Sequence, residues 1–188
     1  MPQHNGPHNP TRSAKSVSSF LEHLPVTARY VFYTAFFLSV LLIVLPWAAY
    51  RIDVYLPGLH IEVGPVVRSL GAVILVVFLI AYLLSSRLLT SEGHGGHVEF
   101  DPPKEFVAGG IYRWVRNPIA GSAVLMLLGE ALAFSSTGIL VLFLAAMVFA
   151  HLQVVLLEEP LLRKRFGASY TDYLARVPRW IPRRPRGS

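Results

Sequence analysis

From Tyr30 to Tyr50 the chain carries no charged residue, and Ser69 to Ser86 repeats the pattern. Two more apolar runs follow: Ile119 to Phe134, broken only by Glu130, and Gly138 to Leu157, broken only by His151. A helix rising about 1.5 Å per residue needs about 20 apolar residues to cross roughly 30 Å of hydrocarbon. Four runs of about that length direct the chain into a bilayer. Composition agrees, with 53% hydrophobic and only 15% charged residues, against roughly 25% charged in soluble domains. The expected fold is all-α: an integral membrane bundle of about four transmembrane helices, with a C-terminal helical hairpin and short cytosolic amphipathic helices. Pro46 is expected to kink the first run near its end, and Gly64 to Arg68 to extend the second. Ser135-Ser136-Thr137 leaves room only for a tight antiparallel hairpin between the third and fourth runs, where Gly129 with Ala133 and Ala146 with Ala150 allow close backbone approach. Pro and Gly residues between Val54 and Val67 also permit a short re-entrant piece.

Basic residues give the orientation. Arg12, Lys15 and Arg29 precede the first run; Arg87, Lys104, Arg113 and Arg116 lie between the second and third; and the C-terminal tail is rich in arginine. The opposite side receives only Arg51 and Arg68, offset by Asp53 and Glu62. Both termini are therefore expected on the cytoplasmic side. The net charge of +6 is spread between and after the apolar runs, which suits a lipid bilayer as partner and not a nucleic acid. With no cysteine, disulfides, thiolate metal sites and a cysteine nucleophile are excluded. The organisation expected is a disordered N-terminal tail over residues 1–18, including His4 and His8, then a transmembrane pair with its connecting loop over 19–100, then a ligand-binding region over 101–188. Nothing in the chain sets an oligomeric state.

Two polar concentrations stand out. Lys104 to Pro118 precedes the third run, and Arg116-Asn117-Pro118 places a helix cap and a first-turn proline there. That helix start offers free N–H groups, a natural seat for a carboxylate, with the Arg116 charge beside them. The second is Glu158-Glu159-Pro160, where Pro160 suits the first turn of a new segment and Gly167 its stop. His151 and Glu158 stand seven residues apart, nearly two helical turns, so that a regular helix puts them on one face with His151 about 10 Å deeper. Ser169 with Asp172 resembles a capping box, and Tyr170, Tyr173, Leu174 and Val177 form one apolar stripe. The hairpin brings Arg116 and Glu158 to one mouth. The alternatives are ordinary headgroup anchors and helix ends. His94 and His97 in the Gly-rich loop supply too few ligands for a metal site.

Residues Asp101 to Pro182 resemble the isoprenylcysteine carboxyl methyltransferase family, which is itself similar to membrane phospholipid methyltransferases. The motifs are G-I-Y-R-W-V-R-N-P from Gly110 to Pro118 and L-L-G-E from Leu127 to Glu130. They continue with His151, E-E-P from Glu158, R-F-G from Arg165, and V-P-R-W-I-P from Val177 to Pro182. The resemblance implies an S-adenosyl-L-methionine-dependent methyltransferase with the cofactor between the arginine motif and the paired glutamates. Carried over by position, Lys104, Phe106 and Val107 line one side, and Tyr112 the adenosine region. Asn117, Pro118, Ile119 and Ala120 edge the methionine site. Glu158 accepts a hydrogen bond from the cofactor, and Arg116 holds a carboxylate or orients the methyl acceptor. Glu158, Glu159 and His151 are the available general bases for an amine or hydroxyl acceptor, whereas a carboxylate acceptor needs none. Asn117 stands where the family has His, a change associated with its bacterial branch and hence with a bacterial inner membrane, and Ala120 stands where it has Tyr. The acceptor implied is a lipid or other amphiphile. A sterol-type reductase using NADPH and a non-catalytic scaffold are the competing readings. No G-x-G-x-x-G follows a strand, so the soluble dinucleotide-type cradle is absent.

Overall fold

The computed structural model describes residues 24–55, 58, 61–95, 97, 101 and 103–184. The expected N-terminal tail, with His4 and His8, lies outside them. Five helices organise the described chain: α1 (Val26–Asp53), α2 (Pro65–Gly93), α3 (Pro118–Phe134), α4 (Thr137–Phe166) and α5 (Ala168–Arg176). α1, α2 and α4 are long and apolar enough to cross a membrane, and α3 is a shorter apolar helix of 17 residues. Their outward faces carry rows of exposed apolar side chains such as Phe32, Ile43, Val73, Ile80, Val148 and Leu156, a pattern that only lipid satisfies. The chain is a helical membrane bundle. Of the stretch 54–67, residues 56, 57, 59 and 60 lie outside the description; residues 61–64 are irregular, and α2 begins at Pro65.

Proline is accommodated in the same way in two of the rods. α1 makes one wide turn over Val40–Val44 just before Pro46, and α4 makes another over Val154–Glu158 just before Pro160. Proline lacks an N–H and crowds the carbonyl four residues back, so a regular α-turn cannot be kept there. Closing i to i+5 instead admits the ring without ending the helix. The helix thus continues through Pro46, with the irregularity expected there taking the form of a wide turn.

The main helix pair is α2 with α3. A Cβ added at Gly71 would lie 2.6 Å from the Ala133 nitrogen, and one at Gly129 would lie 2.6 Å from the Leu75 nitrogen. Gly129 and Ala133 therefore serve the α2–α3 crossing and not the α3–α4 hairpin expected of them. The hairpin is secured differently. Ser135 turns the chain in the left-handed region (φ +53°), Ser136 Oγ caps α4 by accepting from the Ile139 N–H, and the carboxylate of Asp53, at the end of α1, accepts from Ser136 Oγ and the Gly138 N–H. Gly138 lets α1 come this close, because a Cβ there would overlap the Ala49 carbonyl.

At the other end of the bundle Arg29 donates to both oxygens of Asp101 at 2.8 Å, and Tyr33 Oη donates to Asp101 at 3.1 Å. Arg29 is 5% exposed, so it is no headgroup anchor. It ties the start of α1 to the loop after α2. Gly167 (φ +57°) ends α4 as expected. The capping box does not form: α5 starts at Ala168, Ser169 falls inside its first turn, and no side chain caps it. The apolar stripe packs, with Tyr170, Tyr173 and Val177 buried against Phe106, Leu162 and Phe166.

Candidate active site

A cavity of about 260 Å³ opens at the bundle end that carries the start of α3 and the end of α4. Phe106, Val107, Tyr112, Arg116, Asn117, Pro118, Ile119, Ala120 and Glu158 all line it. Residues separated by some forty positions in the chain thus share one chamber because the Ser-Ser-Thr turn sets α3 and α4 side by side. Lys104, Glu159 and His151 do not line it. Leu89, His97, Pro103, Glu105 and Gln153 complete one part of the wall, and Leu161, Leu162, Phe166, Tyr170 and Tyr173 another.

The start of α3 offers the backbone donors that an anion could use. Pro118 occupies the first turn, Asn117 holds the cap position, and the Gly121 N–H already bonds to the Asn117 carbonyl. The first-turn N–H groups of Ile119 and Ala120 have no carbonyl four residues back to bond within the helix. Asn117 does not cap with its side chain; its Nδ2 donates to the Arg179 carbonyl at 3.3 Å. Arg116 lies beside these donors with Nη1 on Glu159 Oε1 at 3.0 Å, while its Nε is buried without a partner.

The paired glutamates divide their work. Glu159 is 4% exposed and meets three arginines: Arg116, Arg179 through Nε at 2.7 Å and Nη2 at 3.1 Å, and Arg163 at 4.0 Å. Glu158 faces the cavity. The wide turn over Val154–Glu158 explains why His151 and Glu158 part company. One extra residue per turn rotates Glu158 off the face that a regular helix would share with His151. His151 is exposed and accepts from Trp180 Nε1 at 3.2 Å.

The aromatic walls are neutral donors. Burial, reinforced by Tyr173 and Glu158, pushes the Tyr112 phenol well above its ordinary value. Burial, then Glu159 and Glu158, pushes Tyr170 up to about 12. Tyr173 Oη donates to the Tyr112 carbonyl at 2.7 Å and ties α5 to the short turn that carries Tyr112. Burial lowers His97, against an opposing pull from Asp101; its Nδ1 sits 3.4 Å from Thr90 Oγ1 and its Nε2 is buried without a partner. Three of these wall residues had a visible signal. Gln153 is a polar amide inside an apolar run, and Tyr170 with Tyr173 belong to the stripe of α5. Leu89 and His97 had none, because their place depends on how the loop after α2 folds back.

A pocket with a guanidinium, helix-start donors, the carboxylates of Glu105 and Glu158, and edge-on aromatic rings suits a zwitterionic ligand with a flat heterocycle. A family model described as phospholipid methyltransferase matches residues 67–169, more than half of the chain and all of α3 and α4. A search of curated proteins finds no match.

Proposed function

The chain belongs to the phospholipid methyltransferase family, the family of membrane methyltransferases that resemble isoprenylcysteine carboxyl methyltransferase, and from that premise we propose that it moves a methyl group from S-adenosylmethionine to a lipid-like acceptor at one face of the bilayer. The observation that carries this is the meeting of Arg116 and Glu158 across one cavity at the start of α3. The family match favours methyl transfer over an NADPH reductase.

The donor set fits the cofactor. Arg116 Nε and the N–H groups of Ile119 and Ala120 would hold its carboxylate. Glu158 would accept from its polar groups and face its cationic centre, and Phe106, Val107 and Tyr112 would enclose its flat base. When bound, S-adenosylmethionine supplies a methyl group already activated by the sulfonium charge. The chain's own share is then positioning and exclusion of water. Leu89, Leu161 and Leu162 give the chamber an apolar side for the acceptor's hydrocarbon. Where the acceptor is an amine or hydroxyl, a proton must leave it. Glu159 is a poor base, because its oxygens are held by arginines, and His151 stands outside the chamber. Glu158 and His97 are the groups placed to take that proton.

We assign the cofactor site to residues 101–188, with Leu89 and His97 completing its wall. We further propose a bacterial inner membrane with both termini on its cytoplasmic side; the orientation is supported by the basic residues, of which Arg51 and Arg68 are those at the opposite end among the described residues. Calorimetry on purified protein in detergent tests the reading: micromolar binding of S-adenosylmethionine, abolished by Glu158→Ala, supports it. Binding of NADPH instead, or of neither, refutes it. Labelled cofactor with a total lipid extract then reports the acceptor as the labelled product.

A further inference from the structure

The segment after α5 never touches the cavity, yet it is bound to every element that builds its charged wall. The Pro178 carbonyl accepts from the Arg116 N–H at 2.9 Å, the Trp114 carbonyl accepts from the Arg183 N–H at 3.0 Å, and the Arg179 carbonyl accepts from Asn117 Nδ2. Its one side chain at the centre of the charge cluster is Arg179, which grips both oxygens of Glu159. Arg116 touches the same carboxylate through Nη1 alone.

We infer that Arg179 is a positioning residue: by occupying both oxygens of Glu159 it keeps Arg116 at the cavity wall with its buried Nε uncommitted, the donor left over for an anionic ligand group. A carboxylate and a guanidinium prefer a two-point contact, and Glu159 is too buried to satisfy its oxygens with water. Without Arg179, the nearest cation able to give it a second contact is Arg116, whose Nε would then be committed to Glu159. Arg163 does not take over, since it is 57% exposed and reaches Glu159 only at 4.0 Å. The hydrogen bond to Glu159, against the effect of burial, raises Arg179 above the ordinary arginine value, so the guanidinium keeps its charge as pH rises. This inference rests on the proposed cofactor site and adds to it a residue outside the chamber.

The test measures S-adenosylhomocysteine affinity by calorimetry on the full chain in detergent, with thermal unfolding alongside. Arg179→Met is expected to weaken binding about tenfold, and Arg179→Lys, which keeps the charge but not the fork, to fall between it and the wild type. In a Glu159→Gln background the Arg179→Met change is expected to add less than about twofold, because there is no carboxylate left to recapture Arg116. Wild-type affinity in Arg179→Met, or an undiminished loss in the Glu159→Gln background, overturns the inference. Arg179→Gln, with the same expected and overturning results, serves if the Met variant does not fold. If the wild type itself binds no S-adenosylhomocysteine, the cofactor site is wrong and this inference falls with it.

Discussion

Gly129→Ala isolates the contact on which the placement of α3 depends. The added methyl would lie 2.6 Å from the Leu75 nitrogen, 2.8 Å from the Gly71 oxygen and 2.9 Å from the Leu75 Cα. All three are backbone atoms, which cannot swing away as a side chain tip can. Restoring the roughly 3.5 Å that non-bonded heavy atoms require means parting the α2 and α3 backbones by about 1 Å. Such overpacking costs about 1–3 kcal/mol, while alanine's helix propensity returns up to about 1 kcal/mol. A net loss of about 1–2 kcal/mol is expected, or about 3–6 °C in Tm for a chain of this size. Gly121, on the same helix, is the internal control: a Cβ there meets nothing within 4 Å. Gly121→Ala should be neutral or stabilising. Thermal unfolding of both variants in one detergent decides it, and equal Tm values would refute the close-approach argument. Because one separation relieves both clashes, Gly71→Ala combined with Gly129→Ala should cost less than the two changes summed.

Asp53→Ala removes the acceptor for Ser136 Oγ and the Gly138 N–H and should cost about 1–2 kcal/mol, read as a lower Tm with S-adenosylhomocysteine affinity unchanged, since the clasp lies at the far end of the bundle from the cavity. His97 gives a pH signature. Burial holds its native value below the ordinary 6.5, so as pH falls through 6.5 the unfolded chain takes a proton that the native chain refuses, and stability drops. Thr90, Tyr30, Tyr33 and Asp101 surround the ring; of these only Asp101 opposes the shift. His97→Asn should therefore lose less Tm than the wild type between pH 7.5 and pH 5.5, and parallel curves would contradict the assignment.

Helix placement was legible because hydropathy acts over whole turns: the four apolar runs became α1 to α4 with only their ends extended. The joining of Arg116 to the end of α4 was legible from the Ser-Ser-Thr turn, which leaves no other geometry. Local register was not. Which of Glu158 and Glu159 faces the cavity depends on the wide turn before Pro160, and a 3.6-residue period applied through that turn puts His151 on the wrong side. Capping failed similarly at Ser169, because Gly167, at positive φ, takes the cap position and starts α5 two residues early. Arg29 counted only toward orientation, because its partner, Asp101, lies 72 residues away and no local pattern links them.

The wide turn over Val154–Glu158 also marks where α4 can lose a residue. Such a turn holds about one residue more than the α-turn it replaces, so a deletion inside it leaves a regular helix whose downstream part keeps nearly its present direction. The cost then falls on Pro160, whose ring would meet the carbonyl of an ordinary α-turn. The same deletion in the regular part of the helix, Thr137–Gln153, would swing Glu158 and Glu159 by about 100° from their present neighbours. Homologous chains one residue shorter in α4 should therefore carry the gap in the wide turn.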